Sequence, residues 1–194
     1  EDFSDTDRVI YVVAHDQVYH FNVLFTILNK LDQFKDKEYK HLSYGLVNLT
    51  DGKMSSREGR VILADDILDQ IHDLILEEFE KRDKNLDKKK AEKISQAALR
   101  FYLLRSNPKQ DISFSYDQVV QFDRASGVYL LYTFARINSI FKKTSVYKSN
   151  ISEAEMKEDI SLLFDQQEHN LLSFLYRFPQ IIEESLEFLN PSIV

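Results

Sequence analysis

A short apolar run near the start of the chain, followed by a polar turn and a helical repeat, constrains the fold most. Residues 8–14 are apolar and β-branched after the leading Arg, which is typical of a strand buried on both faces of a parallel sheet. Residues 15–17 are polar, and apolar residues from Phe21 to Leu31 then recur with helical spacing. Strand, turn and helix form the repeating unit of α/β folds, where ligands bind beyond the carboxyl ends of the strands. We therefore expect residues 14–17 at the edge of a site.

The next part of the chain predicts a second strand and a second helix. Apolar and polar residues alternate over residues 41–49 well enough to predict a strand. Within it, Gly45 permits a close approach of another backbone. Asp65 and Asp66 are predicted to cap a helix whose apolar stripe runs from Ile67 to Phe79.

The rest of the chain predicts helices, with no strand beyond Ala91. One helix ends near residues 106–108, and a short alternating segment over residues 112–117 ends in a helix start. Further helices are predicted over residues 127–143, 153–176 and 179–189, the first of which is expected to bury Leu130, Leu131, Phe134, Ile137 and Phe141. The predicted fold class is α/β followed by all-α, with an α/β domain over residues 1–120 and a helical bundle over residues 121–194.

Composition excludes several classes of function. The 194 residues contain no cysteine, which excludes disulfides and thiolate metal sites. The five histidines show no metal-binding spacing, and neither a nucleophile elbow nor a common glycine-rich phosphate motif occurs. No apolar run is long enough to span a membrane, so a cytoplasmic location without membrane contact is expected. The net charge of −7 argues mildly against a dedicated nucleic-acid module.

Residues 53–59 form a basic loop that follows a turn signal. Lys53 and Arg57 are cationic donors suited to phosphate, and the hydroxyls of Ser55 and Ser56 can add hydrogen bonds to phosphate oxygens. A solvated turn without a ligand can have the same composition. Whether this loop binds phosphate must therefore be judged from the sequence blocks around it.

Those blocks resemble a known family. Residues 53–57 (KMSSR) look like the Lys-Met-Ser-Lys-Ser signature loop of class I aminoacyl-tRNA synthetases. The other blocks are similar to arginyl-tRNA synthetases, in the family's order over roughly residues 8–143. They are residues 11–21 (YVVAHDQVYHF), 41–47 (HLSYGLV), 98–106 (ALRFYLLRS), 112–117 (ISFSYD) and 126–137 (SGVYLLYTFARI). The resemblance implies the C-terminal part of a Rossmann-like nucleotide-binding domain and an incomplete helical anticodon-binding domain.

The resemblance also implies an activity and its residues. Arginine would be activated with ATP, carried with Mg²⁺, to arginyl-adenylate and joined to tRNA(Arg) by an enzyme expected to be a monomer. Lys53, Ser55, Ser56 and Arg57 would stabilise phosphate charge as pyrophosphate leaves. The remaining implied roles are ATP binding by His41, Gly45 and Met54, arginine binding by Gln17 and His20, and tRNA binding by Arg100, Arg105, Tyr132 and Arg136.

Purely structural roles are the alternatives for several of these residues. Gln17 can be a turn residue that caps the next helix, and His20 a structural hydrogen-bonding group. Arg100 and Arg105, like the i, i+4 pair Tyr132 and Arg136, can serve packing or salt bridges between domains.

The chain also departs from the family pattern. Ser56 occupies the place of the second Lys, and the family's His-x-Gly-His signature is absent from the sequence. We therefore expect this signature and the arginine-gripping segment upstream of residue 1, and the chain alone to be inactive. Unpaired sheet edges predict exposed apolar surface and self-association. The rival interpretations are another class I synthetase and a non-catalytic helical module that binds tRNA or protein.

Overall fold

The computed structural model describes residues 6–31, 36–49, 63–82, 85–122, 125–144 and 165–194. The described residues form two small parallel sheets, both within residues 8–114, and beyond Phe114 the regular structure of the described residues is helical. This confirms the predicted class of α/β followed by all-α.

The first sheet pairs β1 (Arg8–Ala14) with β2 (Glu38–Tyr44) in parallel. A 3₁₀ turn over His15–Gln17 leads from β1 into α1 (Val18–Leu28), as the strand–turn–helix pattern predicts. An aromatic cluster joins helix and sheet, and its members are Tyr11, Phe21, Phe25, Tyr39 and His41.

The prediction that β1 is buried on both faces is wrong. Tyr11 and its alternate neighbours are half-buried toward α1, whereas Ile10 is 38% and Val12 is 61% exposed. Successive strand side chains point to opposite faces, and α1 covers the face that carries the aromatic cluster.

The predicted strand over residues 41–49 is in fact two strands in different sheets. β2 ends at Tyr44, and β3 (Val47–Leu49) pairs in parallel with β4 (Ile112–Phe114). β4 also corrects the expectation of no strand beyond Ala91. Its three residues are too few to give a periodic signal, and its partner lies far away in the sequence.

The main core lies between α2 (Ala64–Glu80) and α3 (Lys88–Leu104). Ile71 and Ile75 of α2 are fully buried against Ala98 and Tyr102 of α3 and against Phe114 of β4. The Tyr102 hydroxyl donates a hydrogen bond to the Ser113 carbonyl at 2.8 Å, which ties α3 to β4.

The predicted N-cap role of Asp65 and Asp66 is wrong, because the helix begins at Ala64 and Leu63 is its N-cap. Both carboxylates lie in the first turn, where their negative charge still interacts favourably with the helix dipole.

The helix α5 (Gly127–Thr144) forms where it is predicted and follows the short α4 (Tyr116–Val119). A Cβ atom at Gly127 would lie 2.7 Å from the Ala98 Cα, so the glycine permits close contact with α3. The prediction that α5 buries its apolar side chains is wrong: Phe134 is 65% exposed, and the others are also exposed. Only Gly127 and Val128 of α5 are buried, because its contact with α3 is at its first turn.

The last helix, α6 (Gln166–Phe188), begins with a capping box between Asp165 and Glu168. The prediction of separate helices ending at residue 176 and starting at Pro179 is wrong, because α6 continues through Pro179. Proline fixes φ near the helical value and removes one intrahelical hydrogen bond, and this exposed helix accommodates that loss. The start predicted at residue 153 lies outside the described residues.

α6 ends with Leu189 in the left-handed conformation at φ 49° and a 3₁₀ turn over Pro191–Ile193. No helix in the described ranges is long and apolar enough to cross a bilayer.

We predict that Ile75→Ala destabilises the fold by about 2–5 kcal/mol, because it leaves a cavity in a fully buried site. Ile140→Ala, at a position on α5 that is 52% exposed, is the matched control and should cost less than about 1 kcal/mol. Urea unfolding of both variants measures the difference, and equal losses would contradict the assignment of the core.

Candidate functional site

The carboxyl ends of β1 and β2 form one edge of the first sheet. Because the strands are parallel and Ala14 pairs with Tyr44, the turn after β1 and Gly45 lie at the same edge. This is the position at which open α/β sheets bind ligands. The structure thereby brings Gln17 and Gly45, which the sequence predicts as site residues, to one side of the sheet.

His41 lies in β2 directly beside Tyr11 of β1. Its Nε2 atom is 2.9 Å from the Val13 carbonyl oxygen, which can only accept a hydrogen bond, so Nε2 carries the hydrogen. The ring packs against Phe21 at a centroid distance of 4.4 Å. The His41 side chain is therefore engaged within the first sheet and its contact with α1.

Gln17 is the exposed N-cap residue of α1, although its side chain forms no capping hydrogen bond. Its amide nitrogen donates to the Asp16 carboxylate at 3.1 Å, so its carbonyl oxygen is the group directed to other donors. That oxygen is a suitable acceptor for a guanidinium group.

His20 lies one turn further along α1 and is exposed. Its ring meets the edge of Phe21 in a T-shaped contact at 5.7 Å, which orients the imidazole at the surface of the helix.

Gly45 and Leu46 form a strand switch, where the chain leaves the first sheet and enters the second. The Gly45 amide donates to the Pro108 carbonyl at 2.8 Å, and the Leu46 amide donates to the Asp111 carboxylate at 2.7 Å. A Cβ atom at Gly45 would lie 2.3 Å from the Gln110 carbonyl oxygen. The close approach predicted from the sequence is thus an approach of the 108–111 backbone.

The predicted loop residues Lys53, Met54, Ser55, Ser56 and Arg57 lie outside the described residues. The described elements on either side of them are β3 and α2, and the second carries two carboxylates in its first turn.

Arg105 joins three elements at the end of α3. Its guanidinium lies 4.3 Å above the Tyr102 ring and donates to the Gln118 side-chain oxygen at 3.2 Å and the Ala125 carbonyl at 3.3 Å. These bonds fix the segment that leads into α5, which is the structural alternative left open by the sequence.

The other three residues predicted to contact tRNA are exposed. Arg100 lies on α3, and Tyr132 and Arg136 lie one turn apart on α5. Within the described part of the chain, no hydrogen bond or ion pair engages the guanidinium groups of Arg100 and Arg136. Among the same residues, no group of three His, Asp or Glu side chains is placed to hold a metal ion.

Sequence reasoning missed two residues that tie β2 and the strand switch to distant parts of the chain. Asp111 holds the strand switch, and Lys40 of β2 donates a hydrogen bond from Nζ to the Glu187 carbonyl of α6 at 3.0 Å. The position of Asp111, a polar residue directly before a strand, is a local signal that could have identified it. No local signal identifies Lys40, because its partner is distant in the sequence.

Comparison with protein families gives two matches. The model described as tRNA synthetases class I (R), catalytic domain, matches residues 2–116, which is more than half of the chain. The model described as DALR anticodon binding domain matches residues 130–194.

Curated relatives share both matched regions. The chain is 37% identical over 192 residues to the arginine–tRNA ligase of Treponema pallidum, covering 97% of this chain and 33% of the relative. It is 38% identical over 194 residues to that of Borrelia hermsii, covering 98% and 32%. The chain therefore spans about a third of the length of these relatives.

Solved structures share the fold. Arginyl-tRNA synthetase from Thermus thermophilus aligns with a TM-score of 0.78 at 23% identity, covering 97% of this chain and 30% of that one. The enzyme from Plasmodium falciparum aligns with a TM-score of 0.68 at 26% identity, covering 96% and 31%.

We predict that Gly45→Ala destabilises the chain by about 1–3 kcal/mol, because the added methyl group collides with backbone atoms that cannot rotate away. Thermal unfolding measures the loss, with Ser139→Ala at an exposed position of α5 as the control. A Gly45→Ala chain as stable as the control variant would show that the 108–111 backbone gives way freely.

We predict that Arg105→Lys destabilises the chain by about 1–2 kcal/mol, because an ammonium group cannot span Gln118 and Ala125 while it stacks on Tyr102. Arg100→Lys, at an exposed position on the same helix, is the matched control and should change stability by less than about 0.5 kcal/mol. Urea unfolding compares the two, and an equal effect would remove the structural role of Arg105.

Proposed function

This chain belongs to the family of class I tRNA synthetases (R), and on that premise we propose that it is part of an arginine–tRNA ligase. The reaction activates arginine with ATP to arginyl-adenylate, releases pyrophosphate and transfers arginine to tRNA(Arg). Mg²⁺ enters with ATP as part of the substrate. The observation that carries this proposal is the match of the catalytic-domain model across residues 2–116, which include the sheet edge and the basic loop.

ATP binding is assigned to the edge formed by β2 and the strand switch. The absence of a side chain at Gly45 keeps the switch compact. The His41 ring already contacts Val13 and Phe21, so we assign contact with the adenine to the backbone of this edge rather than to the imidazole. Met54 of the basic loop is assigned to the same nucleotide.

The chemical step is assigned to Lys53, Ser55, Ser56 and Arg57. The arginine carboxylate attacks the α-phosphorus, and the bond to the pyrophosphate oxygen breaks with its electron pair. Two cations and two hydroxyl groups stabilise the charge that develops on the leaving phosphates. Ser56 stands in place of a second Lys, so Lys53 and Arg57 are the two cations that the loop itself contributes.

Arginine recognition is assigned to Gln17 and His20. The Gln17 carbonyl oxygen accepts from the guanidinium group and fixes its orientation, since the amide nitrogen is occupied by Asp16. His20 is exposed on the following helix and supplies a second polar group.

Binding of tRNA is assigned to Arg100, Tyr132 and Arg136, whose exposure leaves a ring for stacking and cations for phosphate. For Arg105, the bonds within the chain favour a structural role, so any contact with tRNA is secondary.

The two domains meet near residue 120, which is consistent with the gap between the two matched family models. The complete enzyme is proposed to act as a cytoplasmic monomer.

The alternative is a non-catalytic module that binds tRNA or protein. The feature of this chain that raises it is the substituted signature loop, in which Ser56 stands in place of a second Lys. Neither the His-x-Gly-His motif nor the arginine-gripping segment is among these 194 residues, so we predict that the chain alone does not catalyse ATP–pyrophosphate exchange.

We predict that the full-length product of the gene catalyses arginine-dependent ATP–pyrophosphate exchange in the presence of tRNA, and that Lys53→Met lowers kcat by about 10²–10³-fold through lost charge stabilisation. Lys93→Met, an exposed lysine on α3, is the control and should retain the wild-type rate. Binding of tRNA without any exchange by the wild-type protein would establish the non-catalytic alternative.

A further inference from the structure

The C-terminal end of α6 lies against the first sheet on the side opposite to α1. Lys40 and Leu42 alternate along β2 with the residues of the aromatic cluster, so they belong to the other face. The Lys40 ammonium donates to the Glu187 carbonyl at 3.0 Å, which links residues 147 positions apart.

This bond satisfies a group that the helix itself leaves unpaired. The last carbonyls of a helix have no intrahelical donor, and a cation near them also interacts favourably with the helix dipole. At this end, the Asn190 amide bonds to the Ser185 carbonyl and the Leu189 amide to the Leu186 carbonyl. Lys40 supplies the donor for Glu187 from another part of the chain.

A groove of about 200 Å³ continues the contact beyond Lys40. One wall consists of Leu42 and residues 107–109, and the other consists of residues 188–190 and Ile193. The end of α6 therefore faces both β2 and the loop that follows α3.

The same loop holds the strand switch. Pro108, which lines the groove, accepts the hydrogen bond from Gly45, and Asp111 accepts from Leu46. A single short loop thus faces the end of α6 across the groove and is hydrogen-bonded to the switch.

We propose that the docked end of α6 positions the strand switch at Gly45 and Leu46, with Lys40 as the positioning residue of this interface. Its consequence for catalysis, which rests on the proposed function, is that the docked end of α6 helps to set the affinity for ATP at the β2 edge.

Amide hydrogen exchange of this chain tests the positioning directly. Lys40→Met should accelerate exchange of residues 186–194 and also of Gly45 and Leu46 by about fivefold, which corresponds to the loss of about 1 kcal/mol. Lys40→Arg keeps the cation and the donor and should restore most of the protection. Lys40→Gln replaces the Met variant if that variant does not fold.

The matched control is Lys37→Met. Lys37 also donates to a backbone carbonyl, that of Thr6 at 2.6 Å, but this bond lies at the opposite end of β2 from the strand switch. It should leave exchange at Gly45, Leu46 and residues 186–194 unchanged. Faster exchange confined to residues 186–194 in Lys40→Met would overturn the proposal, as would equal effects of the two Met variants.

A kinetic measurement in the full-length gene product separates this inference from the proposed function. Lys40→Met should raise KM for ATP severalfold with little change in kcat, and Lys40→Arg should reverse the effect. An unchanged KM in an active enzyme contradicts the catalytic consequence. If the wild-type protein has no exchange activity but the hydrogen-exchange pattern holds, the proposed function fails and the positioning role stands.

Discussion

Two neighbouring amides, those of Gly45 and Leu46, are held by one loop through a carbonyl and a carboxylate. This pair of bonds lets the chain leave one sheet and enter another without a turn of several residues. β3 can then pair with β4, and β4 is tied in turn to α3 through the Tyr102 hydroxyl. The core between α2 and α3 is therefore connected to the carboxyl edge of the first sheet by a short series of hydrogen bonds rather than by a continuous sheet.

Local periodicity was sufficient to predict the elements that make their own pattern. The strand over residues 8–14 and the helix predicted over residues 127–143 were confirmed, because each is a run of seven or more residues with an apolar pattern of its own. The polar turn directly after the strand was confirmed as well. β4 could not be predicted in this way, since a three-residue strand is defined by its distant partner. Pro179 was misjudged because a local rule for helix starts was applied where the helix had already begun at its capping box.

The candidate site was predictable to a similar extent. The sequence placed Gln17 just after a strand and indicated a close backbone approach at Gly45, both of which the structure shows. It placed Gly45 within one strand, whereas the structure places it between β2 and β3. It left the role of Arg105 open between tRNA and the fold, because the Gln118 and Ala125 oxygens that it contacts carry no recognisable pattern. The roles of the basic loop and of the exposed cations remain predictions that rest on the family.

Leu189 adopts a left-handed backbone conformation that glycine usually occupies at helix ends. A residue with a side chain pays roughly 1–2 kcal/mol for this conformation, and here the leucine side chain lines the groove against β2. Glycine at this position would relax the backbone but remove apolar contact from the interface. The end of α6 therefore accepts a strained backbone at Leu189 in return for apolar contact at the groove beside β2. A variant chosen only to relieve that strain would weaken the contact between α6 and the first sheet.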